Sequence, residues 1–555
     1  MTERTVTDAT NERPAGSPGV DASGPLEHAM GGAYEGADRV SRELATWSPV
    51  MKPPDAEINR DKMILDARGR DLVRNSGLMM GASAIHKDSI VGGYYRLNAE
   101  PKYLLLGQTK KWAEEFAREV EAKFTLYAES QDNWLDAARM NSLTMQVRLA
   151  IAGYFSGGEV LATVEWLRDS GRPFNTALQM IDPDRLSNPN DLEDTDRLRR
   201  GVLRNQYGAP QGYHIRMAHP KDQTAFVDQF RWKYVPVRKP WGRLQVIHLI
   251  EQDRPDQTRG VAAMVSVLKE MQMTRKFHDV TLQNAIVNAS YAATIESDMP
   301  PDMAFESVGV TKGDARLTYA QSLMMAMAEY SSKARNLTMD GAKIPHLYPG
   351  TKLNLKPAGS IGGVGEGFEQ SLLRYVASAL GLSYEQFSRD YTKTNYSSAR
   401  ASMNETWKFM QSRKKIVADR YATIAYSLWL EEAINKGEIK SLPQGFNLYE
   451  GQNKDAICNC SWIGASRGQV DELKETQAAV MRIKAGLSTL AYEAAKLGHD
   501  WRELLEQLAT EQEAANELGV TLNFDPAKGG SVTNDAGNED GDAADDNKPA
   551  PKTKD

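Results

Sequence analysis

Cysteine is almost absent from these 555 residues: Cys458 and Cys460 occur in one Cys-Asn-Cys tripeptide and nowhere else. Such close spacing rarely allows an unstrained bridge, and two thiols alone cannot complete a four-ligand zinc site. They read as two buried or free thiols, and sparse cysteine fits assembly in a reducing, cytosolic compartment. Long apolar runs are missing too. No uncharged stretch approaches the roughly 18 residues of a membrane span, and residues 1–40 lack the apolar segment of a signal peptide. The expectation is a soluble chain with no membrane partner. Strong positive charge is also lacking. The net charge is −7, of which the tail 531–555, with seven acids and three lysines, contributes −4. A near-neutral body has no basic footprint for tight, charge-driven duplex binding.

The familiar signatures of chemistry are absent as well. The Gly-rich run GSIGGVGEGFE (359–369) has no lysine after its glycines. A phosphate loop needs that lysine and a hydroxyl, and Glu366 and Glu369 would repel phosphate. The run reads as a connection before a helix. The acidic stretch DPDRLSNPNDLEDTD (182–196) puts Leu186 and Ser187 where a calcium loop needs an oxygen ligand and a glycine. It reads as a solvated loop. The eight histidines form no close ligand pair, His214 and His219 being a weak signal five apart, and no Gly-x-Ser-x-Gly elbow occurs. No catalytic residue, cofactor or metal is expected, and the chain is not expected to be an enzyme.

What is present is a large chain of ordinary composition, 41% hydrophobic and 25% charged. It is long enough for about two to four structural units with a sizeable core. Residues 1–50 read as a disordered arm and 521–555 as a disordered acidic tail. From about 60 to 165 the pattern is helical, with Phe116, Val120 and Phe124 at helical spacing. In MNSLTMQVRLAIAGYFSGGEVLATVEWL a helix breaks at Gly157-Gly158 and a strand follows. Short apolar runs between turn signals make 176–250 a mixed sheet unit. Met264, Leu268 and Met271 return to helical spacing over 260–289. AATIES reads as a strand, 315–335 as a helix, and turns are expected at Asp340-Gly341 and Pro349-Gly350. No proline lies between Pro357 and Pro443, and that span predicts helices over 366–381 and 398–436. Helices broken at Gly486 and Gly498 fill 468–518.

Two polar segments stand out. FRWKYVPVRKPWGR (230–243) interleaves five cations with aromatic rings. Such a mixture can bind single strands by stacking and charge, but it also fits a twisted hairpin with a charged outer face, and the hairpin is the simpler reading. RDYTKTNYSSARASMNE (389–405) runs hydroxyls, amides and cations into the long helix. Ser402-x-x-Glu405 has capping-box spacing, Ser397 or Ser398 could also cap, and Asn395 suits a turn.

This last segment, above all Asn395-Tyr396-Ser397-Ser398-Ala399-Arg400, resembles the hallmark of lambda-type tailed-phage portal proteins. Other segments agree in order: Ala67–Asn75 (ARGRDLVRN), IDPDRL (181–186), GVLRNQYGAPQGYHI (201–215) and the His-x5-Arg-Pro-x-Gln-x-Arg-Gly element of 247–261. YVASALGLSYEQFSRD (375–390) and the C-terminal GLSTLAYEAAKLGHDWRELLEQLATE (486–511) complete the series. The likeness spans about 60–520, and SRGQVDELKE departs from it in lacking an Asp-Pro after the Trp-containing strand.

The resemblance implies an α+β portal fold and a dodecameric ring at one capsid vertex of the virion, assembled in the host cytoplasm. It implies a channel for double-stranded DNA during packaging and ejection. The implied partners are the terminase large subunit, the major capsid protein, the scaffold and head-tail connector proteins. On that plan 51–260 is the N-terminal wing, 261–289 a stem helix, 290–360 the clip and 361–382 the second stem helix. Residues 383–397 become the tunnel loop, 398–464 the wing helix and C-terminal wing, and 465–520 the crown. Arg389, Lys393, Asn395 and Arg400 become candidate DNA-channel residues, while Ser397, Ser398, Ser402 and Glu405 keep a capping role. A capsid scaffold or adaptor without a DNA channel is the alternative. A metal-dependent nucleic-acid-processing enzyme is less favoured, because no carboxylate cluster is visible.

Overall fold

Periodicity of about 3.6 in some stretches and alternation in others divide the chain into helices and strands. The structure, a computed structural model, describes residues 34–38, 41–290, 338–339, 342–343, 364–392, 394–468 and 472–520. In chain order come α1 (Pro54–Asn75), α2 (Gly77–Ile90), β1 (Arg96–Ala99), α3 (Lys110–Ala128), α4 (Leu143–Gly157), β2 (Glu159–Trp166) and β3 (Thr176–Ile181). Then follow β4 (Leu198–Arg199), β5 (Val202–Arg204), β6 (Pro210–Arg216), β7 (Trp232–Pro236), β8 (Val246–Ile250) and α5 (Leu268–Ser290). A short pair, β9 (Thr338–Met339) and β10 (Ala342–Lys343), precedes α6 (Val364–Ala379), α7 (Tyr384–Ser388), α8 (Tyr396–Arg413) and α9 (Arg420–Asn435). The chain closes with α10 (Asn453–Ile457), β11 (Cys460–Ile463), α11 (Glu472–Lys484), α12 (Leu490–Lys496) and α13 (Trp501–Glu517).

The expected helix-to-strand change at Gly157-Gly158, the sheet region, the helix near 366–381 and the breaks at Gly486 and Gly498 are all found. The expected 398–436 helix runs from Tyr396 to Asn435 with a π-helical turn at Lys414–Asp419. Of the expected arm (1–50), residues 34–38 and 41–50 are described, with one 3-10 turn at Glu35–Ala37; the rest of the arm, the acidic tail (521–555), the AATIES strand, the 315–335 helix, the Pro349-Gly350 turn and most of the 290–360 segment lie outside the described residues. Strands β9 and β10 flank the expected Asp340-Gly341 turn and pair antiparallel, Met339 opposite Ala342.

The chain divides into two compact units. One comprises Met1–Ser83, Ala150–Glu165 and Leu178–Arg389. Its strands form a three-stranded sheet, β3-β2-β8, and a four-stranded antiparallel sheet, β4-β5-β6-β7. Leu161, Ile181, Leu186, Val202, Tyr213, Ile215, Val235 and Val246 form one core from both sheets. Strand β7 carries the basic-aromatic segment and pairs fully with β6, and Arg238 bridges to Leu244 across the next turn. This is the hairpin expected from the sequence. Helices α5 and α6 lie side by side, the Phe277 and Phe368 rings 6.4 Å apart and His278 Nε2 2.7 Å from Glu369.

The other unit comprises Ala84–Leu149, Trp166–Ala177 and Asp390–Asp555. In α3, Phe116, Val120 and Phe124 are buried as their spacing predicts. Phe124 meets Tyr426 at 5.5 Å and Trp429 at 5.2 Å between ring centroids, and Phe174 closes on Trp429. Strands β1 and β11 pair antiparallel, and Tyr95 stacks on Trp462. Lys414 bonds Asp419 Oδ1 at 2.7 Å and the Trp462 carbonyl at 2.8 Å, which ties down the π-helical turn. Such turns sit where a ladder must absorb one extra residue. Cys458 and Cys460 are free thiols, and burial pushes both up to about 11.

Candidate nucleic-acid interface

The polar segment is built in three steps. Ser383 opens α7 with a capping box: its Oγ accepts from the Gln386 N–H at 3.2 Å, and the Gln386 side chain accepts from the Ser383 N–H. Leu382 and Phe387 are buried, and the Arg374 guanidinium stands 5.0 Å over the Tyr384 ring. This anchors the base of the expected tunnel loop. Arg389 then ends α7 at φ 61°, a left-handed conformation uncommon for a side-chain-bearing residue. Finally Asp390 Oδ1 accepts from the Thr392 N–H at 3.0 Å and its hydroxyl at 2.6 Å, a local side-chain turn.

Arg389, Asn395 and Arg400 are exposed, while Lys393 lies outside the described residues. Arg400 Nη2 stands 3.8 Å from a Glu475 carboxylate oxygen, so part of its charge is matched within its own chain. Tyr391, which the sequence reading did not single out, is 54% exposed in the same loop.

The capping assignment needs correction. The N-cap of α8 is Asn395, whose Oδ1 accepts from the Ser398 N–H at 2.8 Å. Ser397 and Ser398 are therefore first-turn residues, and the Ser398 hydroxyl donates back to the Asn395 carbonyl. Ser402 and Glu405 lie two turns inside the helix, where Ser402 Oγ donates to the Ala399 carbonyl. Ser and Asn are comparable N-caps, so the choice falls to the residue that leaves helical φ/ψ, here Asn395 at φ −92°, ψ 162°.

In the first unit, a buried charge knot organises the His248–Gly260 element. Glu159 is fully buried at the start of β2. Arg259 Nη2 and Nε approach its carboxylate at 2.5 and 2.9 Å, His248 Nε2 stands at 3.1 Å and Lys62 Nζ at 3.2 Å. Arg259 also donates to the carbonyls of Pro183, Leu186 and Arg200, and Lys62 to those of Gly157 and Gly260. Burial alone would raise the Glu159 pKa, but Arg259 and Lys62 outweigh it and hold the carboxyl well below its usual range. Glycines make the approach possible: a Cβ on Gly260 would sit 2.0 Å from the Gly158 carbonyl oxygen.

The acidic 182–196 loop is more than solvated surface. Asp194 accepts from Asn59, Asn188 and the Arg200 N–H, which clamps the loop to α1. Asp182, Asp184 and His219 bring three potential ligand atoms within 4.8 Å of one another. Arg70 already supplies their counter-charge, with Nη1 and Nη2 each 2.6 Å from an Asp184 oxygen. Burial acts to raise the Asp184 pKa, and Arg70 and His219 more than reverse it. A guanidinium in the forked position fits an ion-pair lock between the ARGRDLVRN and IDPDRL segments better than a metal centre. His214 lies apart in role, its ring 5.1 Å from Tyr234.

In the second unit a cleft of about 680 Å³ is lined by Tyr94, Arg96, Glu121, Phe124, Arg502 and Glu503, among others. Arg96–Glu503 (2.6 Å), Arg118–Glu506 (3.3 Å) and Arg502–Glu121 (3.5 Å) tie α13 to β1 and α3 across it. Burial pushes Glu121 up to about 7, against the opposing Ala99 N–H and Arg502.

The class of the chain is given by comparison with known sequences: it is a phage portal protein. The chain belongs to the lambda family of phage portal proteins, whose family profile matches residues 40–414. It is 38% identical to the portal protein of Escherichia phage N15 over 493 residues, 89% of this chain and 91% of that protein. It is equally 38% identical to portal protein B of Escherichia phage lambda over 490 residues, 88% of this chain and 91% of that one. Among solved structures, a chain titled as the neck of an empty GTA particle computed with C6 symmetry aligns at TM-score 0.37 and 14% identity, covering 83% of this chain and 98% of its own. A chain from the neck of a native GTA particle computed with C12 symmetry aligns at TM-score 0.38 and 12% identity, covering 82% and 97%.

Proposed function

We propose that this chain is a non-enzymatic portal subunit that closes, with copies of itself, into a dodecameric ring at one capsid vertex. The ring's axial channel passes double-stranded DNA during packaging and ejection. The terminase large subunit docks on it, and the major capsid protein, scaffold and head-tail connectors surround it. Assembly takes place in the host cytoplasm. The observation that carries this reading is family membership together with 38% identity over about nine-tenths of two portal proteins. On the same reading α5 and α6 are the stem pair, 290–360 the clip, 383–397 the tunnel loop and 465–520 the crown. Arg389, Lys393, Asn395 and Arg400 meet passing DNA in the channel. A near-neutral body suits a conduit, since strong phosphate binding would brake sliding. Two-dimensional class averages of the purified protein test the proposal. Closed rings with countable symmetry and a central hole are expected. Monomers or open filaments at assembly concentration overturn it and favour an adaptor without a channel.

A further inference from the structure

Neither the buried ion pairs nor the portal reading gives the basic-aromatic hairpin a task. Between Asp228 and Glu251 the chain carries five cations and no acid. Strand β7 ends the sheet β4-β5-β6-β7, and charged side chains on an edge strand discourage pairing with other chains. That accounts for the lysines but not for Trp241. Lys239-Pro240-Trp241-Gly242 is a tight turn: the Gly242 N–H donates to the Lys239 carbonyl at 2.8 Å, and the Lys239 N–H to the Arg243 carbonyl at 2.8 Å. Pro240 stands second, where its fixed φ presets the turn, and Gly242 takes φ 92°, which favours glycine. The turn holds Trp241 at its tip, 65% exposed, with Lys239 Nζ 5.9 Å from the ring centre. Tyr234 on β7 and Phe230 just before it are exposed as well. The cations are available. Lys233, Arg238 and Lys239 make no ion pair among the described residues. One Arg238 N–H goes to the Gly242 carbonyl at 2.9 Å, and Arg231 stands 3.4 Å from Asp228 with both side chains in water.

We propose that this hairpin binds single-stranded nucleic acid, its cations lying on phosphates and the Trp241 ring stacking on a base. A phosphate needs a cation with free N–H groups, and an unpaired base needs an exposed ring; one segment interleaves both. A duplex offers the same phosphates but keeps its base faces stacked, so it would engage the cations alone. An acidic peptide would leave Trp241 idle in the same way. In a chain of net charge −7, unpaired cations gathered on one hairpin make a local footprint rather than a basic body. The contact uses none of the residues proposed for the channel, and it does not depend on ring closure.

The test uses the full chain and fluorescence anisotropy. The probe is a labelled single strand of about 20 nucleotides, longer than the roughly 4–16 that single-strand sites cover. Its duplex is the comparison, and poly-glutamate is the acidic competitor. Wild type should bind the single strand more tightly than the duplex. Trp241→Ala should weaken the single strand about five- to a hundredfold and leave duplex binding and the salt dependence as they were, while Trp241→Phe keeps most of the affinity. Arg238→Gln/Lys239→Gln should weaken both DNAs and flatten the slope of log K against log salt by about 1.4 for the single strand. Melting temperatures equal to wild type show that these variants fold. Three outcomes overturn the proposal: a duplex bound as tightly as the single strand, Trp241→Ala binding like wild type, or poly-glutamate displacing the probe as well as unlabelled single strand does. Binding lost in Arg389→Ala/Lys393→Ala but kept in the hairpin variants overturns it too, and moves the contact to the polar loop.

Discussion

Replacing Glu159 with glutamine should be among the most damaging single-atom-scale changes in the first unit. The carboxylate is fully buried and faces Arg259, 2% exposed, and Lys62, 3% exposed. Glutamine keeps the shape but leaves two desolvated cations with only Asp66 nearby, 2.9 Å from Lys62. Removing one partner of a buried pair costs about 3–5 kcal/mol, far more than the net contribution of the intact pair. For a unit of this size each kcal/mol moves the melting temperature by about 2–4 °C, which predicts a fall of roughly 6–20 °C. Differential scanning calorimetry reads it directly. The double change Glu159→Leu/Arg259→Leu should cost less than the two single changes added together, because no unpaired charge remains. Arg254→Ala is the surface control. Its pair with Glu57 is about half exposed on both sides and contributes about 0–1 kcal/mol. A Glu159→Gln melting temperature within about 2 °C of wild type would refute the account of the knot.

The remaining predictions concern the cap, the glycine contact, the cleft and the loop. Asn395→Ala should cost about 1 kcal/mol of stability in urea unfolding and Asn395→Asp little, while Ser402→Ala should stay within about 0.5 kcal/mol. Gly260→Ala should abolish soluble folded protein or lower its melting temperature severely, because its new Cβ meets the Gly158 oxygen at 2.0 Å; Gly81→Ala, with nothing within 4 Å, should be neutral or mildly stabilising. The folded pKa of Glu121, about 7, lies above its ordinary 4.5, so its protonated form favours folding below pH 4.5 and this stability is lost as pH rises through 7. The effect is at most about 3 kcal/mol, and Glu121→Gln should flatten the melting temperature between pH 5 and pH 8. Arg389→Ala with Lys393→Ala should leave ring assembly intact and alter packaging or retention of DNA; particles holding full-length DNA normally would remove these side chains from the channel contacts.

Helices with a clean apolar stripe were legible because their partners lie a turn away in sequence. Phe116, Val120 and Phe124 needed no tertiary knowledge to be placed inside, and the proline-free span after Pro357 announced α8 and α9. The charge knot was not legible in the same way. Lys62, Glu159 and Arg259 are each about a hundred residues apart, and periodicity carries no information about such meetings. One local signal existed: Glu159 leads directly into the apolar run Val160-Leu161-Ala162 of its strand, where a charge demands a partner. The clamp formed by Asp194 escaped for a related reason, since a run of acids looks solvated until Asn59 of a distant helix is brought beside it. The cap of α8 was missed by two residues because Asn395, Ser397 and Ser398 all have the chemistry of a cap. Only backbone conformation chooses among them.

The His248–Gly260 element shows how one short motif divides its work. Arg254 reaches Glu57 and the Lys52 carbonyl at the surface, where water shares the charge. Arg259, five residues later and itself buried, spends its donors on one buried carboxylate and three backbone carbonyls. Gly260 then lets the chain pass against Gly158, and within a few residues Met264, Val267 and Met271 are buried at the root of α5. Helix α6 returns beside α5 and leads through α7 to Arg389. The knot therefore fixes the base of α5, the end against which α6 packs. Loosening Glu159 should disturb the setting of α5 against α6 before it unfolds either helix. This gives the knot a role in positioning as well as stability: hydrogen exchange over Leu268–Phe277 should rise in Glu159→Gln under native conditions and stay at the wild-type rate in Arg254→Ala, and equal rates in both would leave the knot a role in stability alone.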